Sequence, residues 1–379
     1  MNSKAHKSIL LVAKGADSGF HRGVARYSKQ AGWHLNLDCI YDRDFLWGWG
    51  GDGCIAMVRD PEVIQFTKSL KIPTVGITHE RPNLFTRILE DNEAIGKLAA
   101  EYFIGLGFKH FATYTTDLGD ISTIRQNTFT REIKKAGYET KTLLWKRREK
   151  RTAKDWLKRN DWLTRELEAL PKPAAVFCID DRMAINVIET CLECGISIPT
   201  DIATLGVGNL EIACECSVIS LSSIRIDFEN LGYQSAELLD QILDGKKPPS
   251  EPILLPPLGI EERRSTYTLA VDDPSGQKAI RFMLDNFTSP ISVKEITQAG
   301  GLTRRQLTYI TEKELGISPA KLLEHIRIKK ACELLSTTNH TVDRIANESG
   351  LKTALRLQRI FRIRFKTSPG AWRKTHLPE

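Results

Sequence analysis

Cysteine is scarce here. Eight Cys in 379 residues are too few for a disulfide scaffold. Long apolar runs are missing too. None approaches the ~18–20 residues of a membrane helix. The longest near the start, residues 9–13, falls short of the about 7–15 residues of a signal-peptide core. A soluble, cytoplasmic protein with no membrane partner is expected. Catalytic signatures are absent: no GxSxG, no HExxH and no P-loop. The Gly-rich stretch 47–53 precedes an apolar strand rather than joining a strand to a helix, and reads as a turn. His79 and Glu80 follow an apolar run without an evident partner and read as loop residues. Cys191-x-x-Cys194 and Cys214-x-Cys216 look zinc-like only superficially. The first pair lies at i,i+3 on an expected helix and the second has CxC spacing, so structural thiols are favoured over a metal site. No catalytic residue, metal or cofactor is expected.

What is present is a globular composition with 27% charged residues and a net charge of +7. The charge is unevenly placed. Residues 277–379 hold 19 Lys and Arg against 9 Asp and Glu, or +10, which leaves −3 for the rest. A slightly acidic body with a basic tail suggests a polyanion partner for the tail. The basic run 146–151 lies in the acidic body and reads as a solvated loop.

In the body, short apolar runs alternate with amphipathic stretches. Strands are expected at 8–13, 53–58, 73–77, 109–114, 174–179 and 202–207. Helices are expected at 20–31, 92–106, 125–136, 182–194 and 230–243, several closed by Gly. This alternation argues for parallel α/β architecture. Its length suits two doubly wound lobes with a cleft, where ligands bind at the carboxyl ends of strands. Those ends are polar. Asp17 and Ser18 follow the first strand, Asp180 and Asp181 follow 174–179, Gly208 and Asn209 follow 202–207, and Arg125 opens a helix. Such groups could hold the hydroxyls of a small polar ligand, or simply cap helices. Five prolines between 245 and 259 read as an exit from the body. The domain boundary is placed at 271–276, with a body over 1–270 and a tail over 277–379.

The tail repeats itself. Ser292-Val-Lys-Glu-Ile-Thr-Gln-Ala-Gly-Gly-Leu302 aligns with Thr341-Val-Asp-Arg-Ile-Ala-Asn-Glu-Ser-Gly-Leu351. Each copy has a hydroxyl cap, two apolar residues on one helix face, a turn Gly and a plugging Leu. A second helix follows each, giving helix-turn-helix units at 292–313 and 341–364, separated by a long helix at 319–335. Thr303, Arg304, Arg305, Thr308 and Tyr309 are the candidate DNA contacts of the first unit. Lys352, Thr353, Arg356 and Arg359 are those of the second, with Arg362 and Arg364 also outward. Lysines and helix N-termini suit phosphates, and Arg pairs bidentately with guanine. Two reading helices on one rigid domain can enter successive major grooves.

Gly316-Ile-Ser-Pro319, Lys366-Thr-Ser-Pro369-Gly-Ala-Trp-Arg373 and Arg327-Ile-Lys-Lys-Ala-Cys-Glu-Leu-Leu335 resemble the AraC-type DNA-binding domain. Arg22-Gly-Val-Ala-Arg-Tyr27, Asp52-Gly-Cys-Ile55, Asp91-Asn92, Leu221-Ser-Ser223 and Glu262-Arg-Arg-Ser265 resemble the XylR group of regulators. The resemblance spans nearly the whole chain. It implies a bilobed, periplasmic-binding-protein-like sensor, all α/β, joined to an all-α tandem helix-turn-helix reader. It also implies a sugar effector, a homodimer and double-stranded operator DNA, with RNA polymerase a candidate partner of an activator. Arg125, Asp180 and Asn209 fall where such sensors usually contact the sugar, and Asp17 lies nearby. The sequence departs from the pattern at Gly206-Val-Gly-Asn209, where Gly208 replaces a carboxylate that commonly holds sugar hydroxyls. Ser18 stands where many relatives have Arg, and Thr311 where a core Phe is usual. The expected function is a sequence-specific transcription regulator controlled by xylose or another small carbohydrate. The alternatives are a ligand-independent regulator whose body only dimerises, and a sugar-processing α/β enzyme with a DNA-binding tail.

Overall fold

The computed structural model describes residues 6–41, 45–57, 61–77, 84–116, 120–146 and 152–376. His79, Glu80 and the basic residues at 147–151 lie outside the described residues. The chain opens with β1 (Ser8–Val12), α1 (Ser18–Ala31), β2 (His34–Asn36), α2 (Asp38–Tyr41), β3 (Gly53–Ala56), α3 (Pro61–Leu70), β4 (Thr74–Gly76) and β5 (Thr86–Glu90). It continues through α4 (Asn92–Gly105), β6 (His110–Thr116), α5 (Asp120–Lys135), β7 (Thr140–Trp145), α6 (Ala153–Glu168), β8 (Ala174–Cys178), α7 (Asp181–Glu193), β9 (Ile202–Gly208), α8 (Glu211–Glu215) and β10 (Ser222–Arg225). It then returns through α9 (Phe228–Leu243), β11 (Ile253–Leu255) and β12 (Gly259–Glu261).

These elements build two six-stranded sheets. One has the order β11-β5-β4-β3-β1-β2 and the other β12-β10-β9-β8-β6-β7. Every pairing is parallel except β10 with β12. Parallel strands covered by helices on both faces are expected to be apolar throughout, and β8 is buried at all five positions. The chain crosses between lobes three times. α4 follows a first-lobe strand but packs Ile95, Ala99 and Phe103 against Phe111, Phe129 and Phe177 of the second lobe. α9 follows a second-lobe strand but packs Leu231 and Leu239 with Ile9, Leu11, Phe20 and Val24 of the first. The α1–α9 contact is close enough to exclude side chains. A Cβ on Gly232 would lie 2.1 Å from the Phe20 carbonyl oxygen, and one on Gly23 would lie 1.9 Å from that of Glu229.

Two expectations change. Arg125 does not open its helix; α5 starts at Asp120, and the polar residues of its first turn carry no apolar period to announce it. The proline-rich stretch is not an exit from the body. It contains β11, which pairs with β5, and leads to β12, which pairs with β10, so it is the third crossing between lobes. Proline suits such a path because each of these strands lies at a sheet edge.

The tail is all-α: α10 (Pro274–Asn286), α11 (Val293–Gly300), α12 (Arg304–Leu315), α13 (Pro319–Thr337), α14 (Val342–Glu348), α15 (Ala354–Phe365) and α16 (Pro369–His376). α10 begins inside the stretch read as a linker, capped by Asp273 with Pro274 in its first turn. It roofs the first unit: Ile280, Met283 and Leu284 join Ile296, Leu307 and Ile310 in one core. Leu351, Leu357 and Phe361 form the core of the second unit. No helix among the described residues is long and apolar enough to cross a membrane.

Candidate effector site and nucleic-acid interface

The carboxyl edges of the two sheets meet at the first crossing, and Arg125 marks the place. Its Nε donates to Asn92 Oδ1 (2.5 Å) and its Nη1 to the Ile179 carbonyl (2.6 Å). Its Nη2 donates to Glu90 Oε1 (3.3 Å). Glu90 ends β5 in the first lobe, whereas Ile179 follows β8 in the second. One guanidinium therefore clamps the crossing. Burial pulls its pKa below the ordinary value, against the opposing pull of the Glu90, Asp180 and Asp181 carboxylates.

The other candidate residues are also engaged. Asp17 caps α1 by accepting from the Gly19 N–H (2.7 Å). Asp180 caps α7 by accepting from the Met183 N–H (2.8 Å) and pairs with Arg182 (3.0 Å). Both capping expectations hold as geometry. Asn209 has φ 55°. Its N–H donates to Ser223 Oγ, and its Oδ1 accepts from Arg263 Nη1 (2.8 Å). Arg125, Asp180 and Asn209 thus gather at the edge of the second lobe, and Asp17 lies in the first.

From the sequence, Asp181 reads only as one of several polar strand-end groups, and Arg263 only as part of a family signature. Asp181 is fully buried and accepts from Ser223 Oγ (2.5 Å) and the Leu210 N–H (2.7 Å). Burial raises its pKa, while those two bonds pull it down. Gly206 and Gly208 make room for it: a Cβ at Gly206 would lie 2.3 Å from Asp181 Oδ1, and one at Gly208 3.3 Å from Oδ2. Gly208 also has φ 122°, which favours glycine. So where the family pattern has a carboxylate, this chain has a glycine that accommodates a buried one. Asp181 spends both oxygens inside the protein and does not restore an exposed acceptor. Arg263 binds Asn209 from 54 residues away in sequence, a separation no local pattern announces.

Cys191 and Cys214 sit in the second-lobe core, where burial pushes each thiol up to about 12. No group of His, Cys, Asp and Glu among the described residues is arranged to hold a metal.

In the tail, Thr303 caps α12 in a reciprocal box with Gln306, and Thr353 caps α15 by accepting from the Arg356 N–H. Arg304, Arg305, Tyr309, Lys352, Arg356 and Arg359 are exposed, and Thr308 is half-buried. Leu355 is 77% exposed on the second reading helix, another residue not anticipated. An apolar side chain there can meet a thymine methyl. Thr311 of the first unit is fully buried, and its hydroxyl donates to the Thr308 carbonyl (3.3 Å).

Residues 100–266 match the family of periplasmic binding protein-like domains, and residues 296–375 match the helix-turn-helix domain family. The xylose operon regulatory protein of Escherichia coli strain K12 is 26% identical across 98% of this chain and 98% of its own length. That of Haemophilus influenzae is 24% identical across 98% and 99%. The chain is a DNA-binding transcription regulator, similar along nearly its whole length to those of the XylR type. Its fold agrees with the solved structure of the xylose-binding transcription activator xylR, which covers 99% of this chain and 100% of its own, with a TM-score of 0.64 at 23% identity. A XylR-type regulator joins a periplasmic-binding-protein-like sensor to an AraC-type reader, and both parts are present here in that order. The second helices of its two helix-turn-helix units are α12 and α15, and Arg125 bridges the carboxyl edges of its two sheets.

Proposed function

We propose that this regulator binds a small carbohydrate between its lobes and changes its grip on operator DNA in response, acting as a cytoplasmic activator. The observation that carries the reading is the covalent union of a two-lobed sensor, whose carboxyl edges gather Asp17, Arg125, Asp180 and Asn209, with two reading helices that project Arg304, Arg305, Arg356 and Arg359 outward. The similar xylose operon regulators make pentoses the first ligands to try. Output is DNA occupancy and contact with RNA polymerase rather than substrate turnover. A homodimer matches paired half-sites. The division proposed is a sensor over 1–270 and a reader over 277–379, with 271–276 between them. A sugar that favours one sensor conformation shifts the reader by that difference in affinity and no more.

Thermal-shift screening of pentoses, hexoses and polyols tests the sensor. A ligand at 100 times its Kd stabilises it by about 2.7 kcal/mol. Footprinting of the promoter region at roughly 50 to 200 mM salt tests the reader, because phosphate contacts weaken steeply across that range. Absence of any protected site defeats the regulator reading. One observation favours a ligand-independent regulator: each of the four cleft residues already has a protein partner. Protection of a promoter site without stabilisation by any sugar establishes that second reading.

A further inference from the structure

Between β12 and α10 runs a short strap that touches the cleft on one side and the reader on the other. Arg263 has extended backbone (φ −136°, ψ −168°), so neighbouring side chains point to opposite sides. Arg263 faces the cleft. Its Nη1 donates to Asn209 Oδ1 (2.8 Å) and to the Leu221 carbonyl (3.0 Å), and its Nε donates to Glu215 Oε1 (2.5 Å). Its neighbour Glu262 reaches the reader, where it accepts from Lys329 Nζ on α13 (2.6 Å), and also bonds Tyr102 of α4.

The strap is anchored to the second lobe by hydroxyls. Ser222 Oγ accepts from the Arg263 N–H and donates to the Arg263 carbonyl. Ser265 Oγ donates to the Thr204 carbonyl, and Thr266 Oγ1 meets both Ser222 Oγ and Tyr102 Oη. Beside the strap lies a cavity of about 480 Å³, bounded by Glu262 and Thr266 of the strap, Leu106 of the sensor, and Leu284, Ile326 and Lys329 of the reader. Protein interiors are close-packed and resist small shifts. Here strap and reader meet across a cavity rather than through one continuous packed core.

We propose that Arg263 is the positioning residue of the effector site and that the strap carries the state of the cleft to the reader through Glu262 and Lys329. The chemistry at Asn209 gives the direction. Its amide has one oxygen acceptor and one nitrogen donor. The Arg263 guanidinium takes the oxygen and so fixes the amide with its NH2 free for a ligand oxygen. A ligand that draws on that NH2 pulls Asn209, Arg263 and the strap together, and the Glu262–Lys329 pair transmits the shift to α13. The proposal rests on the reading that the cleft takes a carbohydrate.

The test uses the full chain, the footprinted promoter fragment and a panel of D-xylose, L-arabinose and D-ribose, with operator Kd read by anisotropy with and without sugar. Glu262→Gln and Lys329→Gln each move the sugar-free operator Kd about two- to fivefold toward the sugar-bound value, the scale of an exposed ion pair. The double variant equals either single, as expected of residues acting through one contact. Arg263→Gln and Arg263→Lys additionally weaken pentose binding, because neither re-creates the planar hold on Asn209. Wild-type coupling in the Glu262 and Lys329 variants, additive effects in the double, or full pentose affinity in Arg263→Lys overturns the proposal. If no pentose binds the wild type, the carbohydrate reading fails by itself. The strap is then still judged by whether the two single variants shift sugar-free operator Kd equally and non-additively.

Discussion

Arg125→Met separates a role in the cleft from a role in the fold. Methionine fills similar space but offers no donor. It takes the guanidinium from Asn92, from the Ile179 carbonyl and from Glu90 at once. The side chains of the ion pair are 8% and 14% exposed, so solvent cannot readily replace what is lost. Removing one partner of such a buried pair costs about 3–5 kcal/mol. The Ile179 carbonyl would add about 1–3 kcal/mol if it stood alone, but the three bonds share one group and are not summed. In a domain of this size each kcal/mol moves the melting midpoint by about 2–4 °C. The expected fall is therefore about 6–20 °C for the sensor transition, followed by near-ultraviolet circular dichroism or scanning fluorimetry without any ligand. Arg125→Lys keeps the charge but reaches fewer partners, and so falls between the two. If Arg125→Met melts within about 1 °C of the wild type, the clamp at the first crossing contributes nothing to the fold and the argument from its geometry is wrong.

Gly232→Ala should destabilise the first lobe by about 1–3 kcal/mol or more, because the new Cβ must push α9 away from the Phe20 carbonyl; an unchanged urea midpoint would show that this helix pair is looser than drawn. Arg356→Ala should relax base preference, whereas Lys352→Ala should weaken specific and random DNA alike; equal losses on both kinds of DNA for both variants would refute that division. The Glu348 carboxyl is held below its usual pKa by the Arg344 hydrogen bond and then by His340. A depressed carboxylate contributes stability above its unfolded pKa of about 4.5 and loses it as pH falls through the folded value. Wild type and Glu348→Gln should therefore differ at pH 7 and converge in acid, and a gap that stays constant down to pH ~3 would exclude this linkage.

Much of the fold was legible because local chemistry and global architecture agree. Buried parallel strands read as continuous apolar runs, and β1, β8 and β9 were found that way. The repeat in the tail was legible because both copies need the same cap, turn and plug, and Gly301 and Gly350 adopt φ 66° and 72° at those turns. The start of α5 was hidden by its polar first turn. β2, β11 and β12 were hidden because they are short and largely unburied, whereas the equally short β4 is buried throughout and reads as an apolar run. At the cleft, Asp17, Asp180 and Asn209 could be named from their place after strands. Their partners could not. Arg263 meets Asn209 across a sheet, and Arg327, a buried arginine in α13, donates to the carbonyls of Phe287 (2.7 Å) and Ser289 (2.8 Å) some 40 residues earlier. Long-range polar contacts depend on the folded topology, which one-dimensional spacing does not contain.

The two reading heads are attached to the sensor unequally, and this limits how a signal can reach DNA. The first head touches it directly. Lys109 pairs with Asp272 (3.0 Å), whose N–H donates to Glu314 at the end of α12 (2.5 Å), and a Cβ on Gly107 would lie 3.3 Å from Leu315. The second head is reached along α13. There Arg327 grips the loop after α10, and Gly350 packs so closely on that loop that its Cβ would lie 2.3 Å from the Phe287 carbonyl. α15 is also tied to α13, through Arg356 and Glu324 (3.3 Å). Such a joint resists independent motion of the heads. A shift delivered at α12 or Lys329 should therefore turn both heads together, altering their angle to the duplex while keeping their spacing. α15 carries Arg356, Arg359, Arg362 and Arg364 with no acidic residue, whereas α12 carries Glu312 and Glu314 beside its cations. On the proposed reading, the head farther from the sensor supplies most of the phosphate attraction, and the head against the sensor supplies the control.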